Sequence, residues 1–188
     1  MTADASAATR GARNVEIKAR IASVDAMTPR VTALADQGPI EIEQDDTFFR
    51  CARGRLKLRA FSVAEGQLIF YRRPDQAGPK ESFFVISPTA SPDSLREALS
   101  LAFGIAGRVR KHRTLYLVGR TRVHLDRVEG LGHFLELEVV LREGESAEAG
   151  VKEARALMAA LGIAEDQLID GAYVDLLFRA DAVCSQPS

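Results

Sequence analysis

Cysteine is scarce in this chain, long apolar runs are missing, and neither sign of charge prevails. Cys51 and Cys184 stand far apart, with no short-range Cys or His partner. That excludes a compact cysteine metal site and argues against a secreted disulfide framework, so a reducing cytoplasm is the expected setting. No apolar stretch approaches the roughly 20 residues needed to cross a bilayer. The opening MTADASAATRGA lacks the apolar block of a secretory signal. A formal net charge of −1 gives no general attraction to nucleic acid or to a membrane, and neither is an expected partner. An anion would have to be held by charge gathered locally.

What is present is enough for one domain. With 188 residues, 46% hydrophobic and 27% charged, the chain can bury a sizeable core but is marginal for two. Residues 13–180 are expected to form that domain, with tails at 1–12 and 181–188. Period-two patterning predicts strands near 14–21, through much of 40–86, at 109–118 and 121–128, and over Phe134–Leu141. Helices are predicted from a cap at Asp25 to about Gln37 and from Ser91-Pro92-Asp93 onward. The second of these carries an apolar stripe of Leu95, Ala98, Leu99, Ala102 and Phe103. Two more are expected at about Ala147–Leu161 and Ala172–Phe178. Eight mostly antiparallel strands with flanking helices make an α+β domain, a closed or nearly closed sheet with helices outside.

The strands carry their charges on one parity. In the segment from Arg13 to Arg20, Glu16, Lys18 and Arg20 face one way while Val15, Ile17 and Ala19 face the other. Arg55, Lys57 and Arg59 alternate with Leu56 and Leu58. Lys111 and Arg113 share a parity with Leu115 and Leu117. Arg120, Arg122, His124 and Asp126 line up against Thr121, Val123 and Leu125, and Glu136 and Glu138 against Leu135, Leu137 and Val139. Arg72 is assigned to the charged set, although Tyr71 and Arg73 on the other parity leave its strand mixed.

On any one strand this is what a half-solvated sheet with cross-strand ion pairs would show. Across the set, helices available to cover the apolar parity would turn the charged one inward. Enclosed charge then needs dense mutual pairing or a polyvalent partner. A metal–polyphosphate complex satisfies both halves. Carboxylates supply hard oxygen ligands to Mg2+ or Mn2+, and Arg and Lys suit phosphoryl oxygens. His112, His124 and His133 are expected to be surface or packing residues, and Lys80 to sit in a turn near an open end.

Several motifs, in order, resemble the CYTH group of triphosphate tunnel metalloenzymes, which includes class IV adenylate cyclases and thiamine triphosphatases. They are Asn14-Val15-Glu16-Ile17-Lys18, Gly54 to Arg59, Lys111-His112-Arg113, Val123-His124-Leu125-Asp126, and Glu129 to Glu138 around Gly130-Leu131-Gly132. The likeness runs from about Arg13 to Phe178 and implies an eight-stranded antiparallel tunnel with the active site inside. It also implies metal ligation by Glu16, Asp126, Glu136 and Glu138, and a triphosphate grip by Lys18, Arg59, Arg72, Lys111, Arg113 and Arg122. Glu16, Lys18, Asp126 and Glu136 would be central to catalysis. Arg20, Arg55 and Lys57 match less securely, and Tyr173 resembles a tyrosine near the tunnel mouth.

One position departs from the pattern: Asn14 stands where the family has a first Glu, which removes a charge from the metal site. The reaction expected first is conversion of ATP to cyclic AMP and pyrophosphate, because the Asp126–Glu138 segment looks nearest to class IV cyclases. A triphosphatase acting on inorganic triphosphate, a nucleoside triphosphate or thiamine triphosphate would use almost the same residues. A non-catalytic polyphosphate-binding module is the third reading. Resemblance to class IV cyclases also implies a homodimer.

Overall fold

The computed structural model describes residues 9–184. The expected tails lie largely outside that range, except that β1 begins at Thr9 and the last helix runs to Cys184. The strands are β1 (Thr9–Arg20), β2 (Gln37–Phe49), β3 (Arg55–Ala60), β4 (Gly66–Arg72), β5 (Lys80–Thr89), β6 (Ile105–Val118), β7 (Thr121–Val128) and β8 (Gly132–Val140). All neighbours are antiparallel. The order β1-β5-β4-β3-β2-β6-β7-β8 closes on itself as a barrel. Closure leaves no edge strand in the ring.

Among the described residues four α-helices accompany the strands: α1 (Val24–Thr32) between β1 and β2, α2 (Pro92–Phe103) between β5 and β6, and α3 (Ala147–Leu161) and α4 (Tyr173–Cys184) after β8. The apolar parity of the strands faces outward and is covered by α1 and α3. Val15, Ile17, Val123, Leu125, Leu135, Leu137 and Val139 are buried there with Val24, Val31, Ala154, Met158 and Leu161. At Gly150 of α3 an added Cβ would come within 2.8 Å of Val15 and Leu141 side chains, so the helix sits close on β1 because this position has no side chain. Burying this shell against helices leaves the alternate, charged parity pointing into the barrel.

Three local expectations are corrected. Ser23, not Asp25, caps α1, its hydroxyl accepting from the backbone N–H groups of Asp25 and Ala26. That helix also ends early. Asp36 already donates its N–H to the carbonyl of Leu117, and Gln37 opens β2 against β6, so sheet pairing takes over before the Gly38-Pro39 pair. In α2 the predicted apolar stripe stays largely uncovered: only Pro92 is buried and Phe103 is exposed. α1 and α3 already occupy the apolar shell of β1, β7 and β8.

α4 closes one end of the barrel. Ala172, Tyr173 and Val174 are buried with Phe48, Val109, Val128 and Phe134 in a second apolar cluster. Asp175 fixes the start of that helix, accepting from the N–H of Ala172 at 2.7 Å and from Arg55 at 2.8 Å. Among the described residues no helix is long and apolar enough to cross a membrane.

Candidate active site

Directly paired residues in an antiparallel sheet share a face, so the register fixes what lines the interior. Across β1–β8, Glu16 opposes Glu138 and Lys18 opposes Glu136. Across β7–β8, Arg122 opposes Glu138 and His124 opposes Glu136. Arg113 opposes Asp126 across β6–β7, and Arg59 opposes Asp46 across β2–β3. One arc of the wall thus brings together Glu16, Lys18, Arg122, His124, Asp126, Glu136, Glu138, Lys111 and Arg113. Arg59 and Lys57 stand on another.

These groups are closed on one another. Glu136 accepts from Lys18 at 2.7 Å and also from Arg113. Glu138 pairs with Arg122 at 2.9 Å, and Glu16 with Arg73. Asp126 is fully buried and accepts from Lys111 at 2.9 Å, twice from Arg113 at 2.6 Å, and from the Tyr173 hydroxyl at 2.9 Å. Across the barrel Asp46 does the same for Arg59 and Lys57, at 2.8 to 2.9 Å. Each buried Asp therefore clamps two bases in place. Side-chain exposure falls from 34% at Arg122 and 21% at Glu138 to 13% at Glu136 and zero at Asp126. On this arc solvent reaches the interior from the Arg122 side, while Tyr173 shuts the far end.

Burial raises a carboxyl pKa, and neighbouring cations lower it. The cations prevail here. Against burial, Arg113 and Lys111 hold Asp126 well below the ordinary range. Lys18 and Arg113 do so for Glu136, and Arg122 brings Glu138 to about 2. The bases bear the reverse cost: burial and Arg59 press Lys57 down to about 7, and burial with Arg73 and Lys18 presses Lys80 to about 8. Burial and the Arg113 charge lower the His124 imidazole.

Several predicted residues are placed differently. Arg72 lies on the outer face, exposed, with its guanidinium 5.3 Å from the Phe83 ring. The reason is register: Arg55 opposes Tyr71 and Arg59 opposes Gln67, so Gln67, Ile69, Tyr71 and then Arg73 face inward. Arg73 takes the interior place, paired with Glu16 and donating to the carbonyl of Gly171 at 2.7 Å. Asp126, expected to bind metal or orient a ligand, accepts from two bases and a hydroxyl in this structure. Arg20 turns away to the carbonyl of Leu131, and Arg55 is spent on Asp75 and Asp175. Tyr173 does not edge an open mouth; it is buried in the closed end, with the Lys18 ammonium 3.9 Å from its ring centroid.

Asp46, Arg73, Lys80 and His124 join the interior without having been expected there as site residues. His124 is 4% exposed, and its Nδ1 has no hydrogen-bond partner. It offers a ligand atom within 4.8 Å of ligand atoms of Glu136 and Glu138. Two carboxylates and a buried unpartnered nitrogen converging from β7 and β8 fit a divalent cation. Asn14 is buried on the same wall, and its Oδ1 also lacks a partner.

Comparison with known proteins agrees with this arrangement. Over 172 residues the chain is 27% identical to adenylate cyclase CyaB of Aeromonas hydrophila, spanning 87% of this chain and 88% of that protein. The PH1012 protein of Pyrococcus horikoshii OT3 has the same fold, with a TM-score of 0.77 at 24% identity over 87% of this chain and 98% of that one. A Hippeastrum protein described as having a dominant triphosphatase activity shares it with a TM-score of 0.62 at 20% identity, over 89% and 96% of the two chains. The model of the CYTH domain matches residues 12–173, from the first charged strand to the tyrosine that seals the barrel. With an acid-and-base interior enclosed by eight antiparallel strands over that same span, the chain belongs to the CYTH domain family.

Proposed function

We propose that this protein is a metal-dependent enzyme acting on a triphosphate within the barrel, and that its reaction is conversion of ATP to cyclic AMP and pyrophosphate. The observation that carries the triphosphate reading is the convergence, on one enclosed wall, of the Glu136–Glu138 carboxylates with Lys18, Arg113 and Arg122. The acids and bases now pair with one another, and a metal ion on the acids would free the bases for a polyanion. The resemblance to adenylate cyclase CyaB across most of both chains supports cyclisation.

Glu136 and Glu138 would hold Mg2+ or Mn2+, with Glu16 opposite Glu138 completing the acidic side. When bound, such an ion neutralises phosphate charge and favours attack at phosphorus. Lys18, Arg113, Arg122 and Arg73, released from their carboxylates, bind non-bridging oxygens, with Arg able to bind in forked pairs. Asp126 and Asp46 hold Lys111, Arg113, Lys57 and Arg59 in fixed positions, so the bases are preorganised and little reorientation accompanies reaction. The enclosed wall folds ATP so that its 3′ oxygen lies in line with the α-phosphorus. The new bond joins that oxygen to phosphorus, the α-phosphorus–oxygen bond to pyrophosphate breaks, and the hydroxyl proton passes to solvent water or to the departing pyrophosphate.

A triphosphatase is the second reading, favoured by the activity described for the Hippeastrum protein of the same fold. Water would then attack a terminal phosphorus held by the same bases. Incubation with ATP, inorganic triphosphate and thiamine triphosphate, with Mg2+ or Mn2+, separates the two. Cyclic AMP with equimolar pyrophosphate establishes the cyclase, and orthophosphate alone rejects it in favour of hydrolysis. Tight triphosphate binding with no turnover on any substrate would reject both.

A further inference from the structure

We propose that His124 is a nitrogen ligand to the metal at Glu136 and Glu138, and that this makes the site selective for a first-row transition ion over Mg2+. The proposal rests on the metal-dependent reading above and adds the identity of the cation class.

The geometry is local to β7 and β8. His124 sits directly opposite Glu136 in the register. Its Nδ1 lies 3.9 Å from Glu136 Oε2 and 3.8 Å from Glu138 Oε1. Those spacings are too long for hydrogen bonds. They are close to the separation of two donors on one ion, which is roughly 3–3.5 Å when each bond is about 2.1 Å. A few tenths of an ångström of closure would bring the set onto a shared cation. Glu138 spends Oε2 on Arg122 and turns Oε1 toward the imidazole; Glu136 Oε2 also accepts from Arg113 and would exchange that cation for the metal.

A buried imidazole could simply fill space. In that role its polar atoms should be satisfied, because an unpaired buried nitrogen costs about 1–3 kcal/mol. Nδ1 is buried and without a partner, aimed at two carboxylates that hold their negative charge. A cation removes that cost and binds the acids at once. Mg2+ is a hard ion that prefers oxygen and keeps several waters, whereas imidazole raises affinity for transition ions. The nitrogen therefore discriminates between the two classes.

The test is direct binding, with Co2+ and Mg2+ as probes in titration calorimetry and Co2+ visible absorption as a second readout. His124→Asn replaces the nitrogen donor by an amide oxygen; it should weaken Co2+ binding at least tenfold, shift the Co2+ absorption, and leave Mg2+ affinity within about twofold. His124→Leu should weaken both ions. Pulsed electron paramagnetic resonance of wild-type protein loaded with Mn2+ should show coupling to an imidazole nitrogen, whatever the variants do to folding. Absence of that coupling, or Co2+ affinity unchanged in a folded His124→Asn, overturns the proposal. Glu136→Gln separates this failure from that of the broader reading: if it abolishes Co2+ binding while His124→Asn does not, the metal stays and only the nitrogen ligand falls. Retained Co2+ binding in folded Glu136→Gln would take Glu136 out of the metal site and overturn the geometry proposed.

Discussion

Replacing Asp126 by Asn tests the clamp at the closed end. The carboxylate is inaccessible and carries Lys111, both bonds from Arg113 and the Tyr173 hydroxyl. Asn keeps the volume and one acceptor oxygen but leaves Lys111 buried without its counter-charge; Arg113 still has Glu136. Removing one member of a buried ion pair costs about 3–5 kcal/mol. With one acceptor kept and one cation still paired, the lower end applies, about 3 kcal/mol. For a urea slope of about 2–3 kcal/mol per molar, the unfolding midpoint followed by circular dichroism should fall by roughly 1–1.5 M. The stranded cation is the stated cause, so adding Lys111→Met should restore part of the loss, a coupling of about 1–3 kcal/mol. A midpoint within about 0.3 M of wild type for Asp126→Asn, or purely additive effects in the cycle, would refute the clamp.

Other expectations follow from the same interior. Arg73→Ala should weaken inorganic triphosphate binding at least tenfold by calorimetry, while Arg72→Ala, on the outer face, stays within twofold; the reverse order would mean the β4 register is wrong. Asn14→Glu should raise Mn2+ affinity by placing a second carboxylate beside Glu16, and unchanged affinity would take position 14 out of the metal site. Glu138, held at about 2 in the fold against about 4.3 in an unfolded chain, stabilises the protein above pH 4.3 by up to about 3 kcal/mol. Asp126 and Glu136 shift in the same direction. These contributions disappear as pH falls through the folded values, so the urea midpoint should drop between pH 5 and pH 2; a flat profile would contradict the pairing.

The interior was legible where the alternation is uninterrupted. Over residues 14–20, 122–126 and 135–139 charged or polar residues alternate with aliphatic ones, and burial of Val15, Ile17, Leu135 and Leu137 settles which side is which. Where both parities are polar, alternation does not tell inside from outside. Glu41-Ile42-Glu43-Gln44-Asp45-Asp46 reads as a solvated strand, yet Asp46 is buried and Asp45 faces out to Arg108. Phe48, two residues on, was the available signal, since it shares the parity of Asp46. The doublet Arg72-Arg73 has no parity of its own, and only cross-strand pairing with β3 orders it. Lys80 reads as a turn lysine in the sequence, yet β5 begins there, opposite Glu16. His124 was on the right parity; what a linear pattern could not show is that two acids on the neighbouring strand lie beside its free nitrogen.

The stopper formed by Tyr173 and its apolar neighbours turns a pipe into a blind well. Anything that reaches Glu136 from solvent along this arc passes Arg122 and Glu138 first, so a ligand seated on the acids has its trailing part beside those two residues.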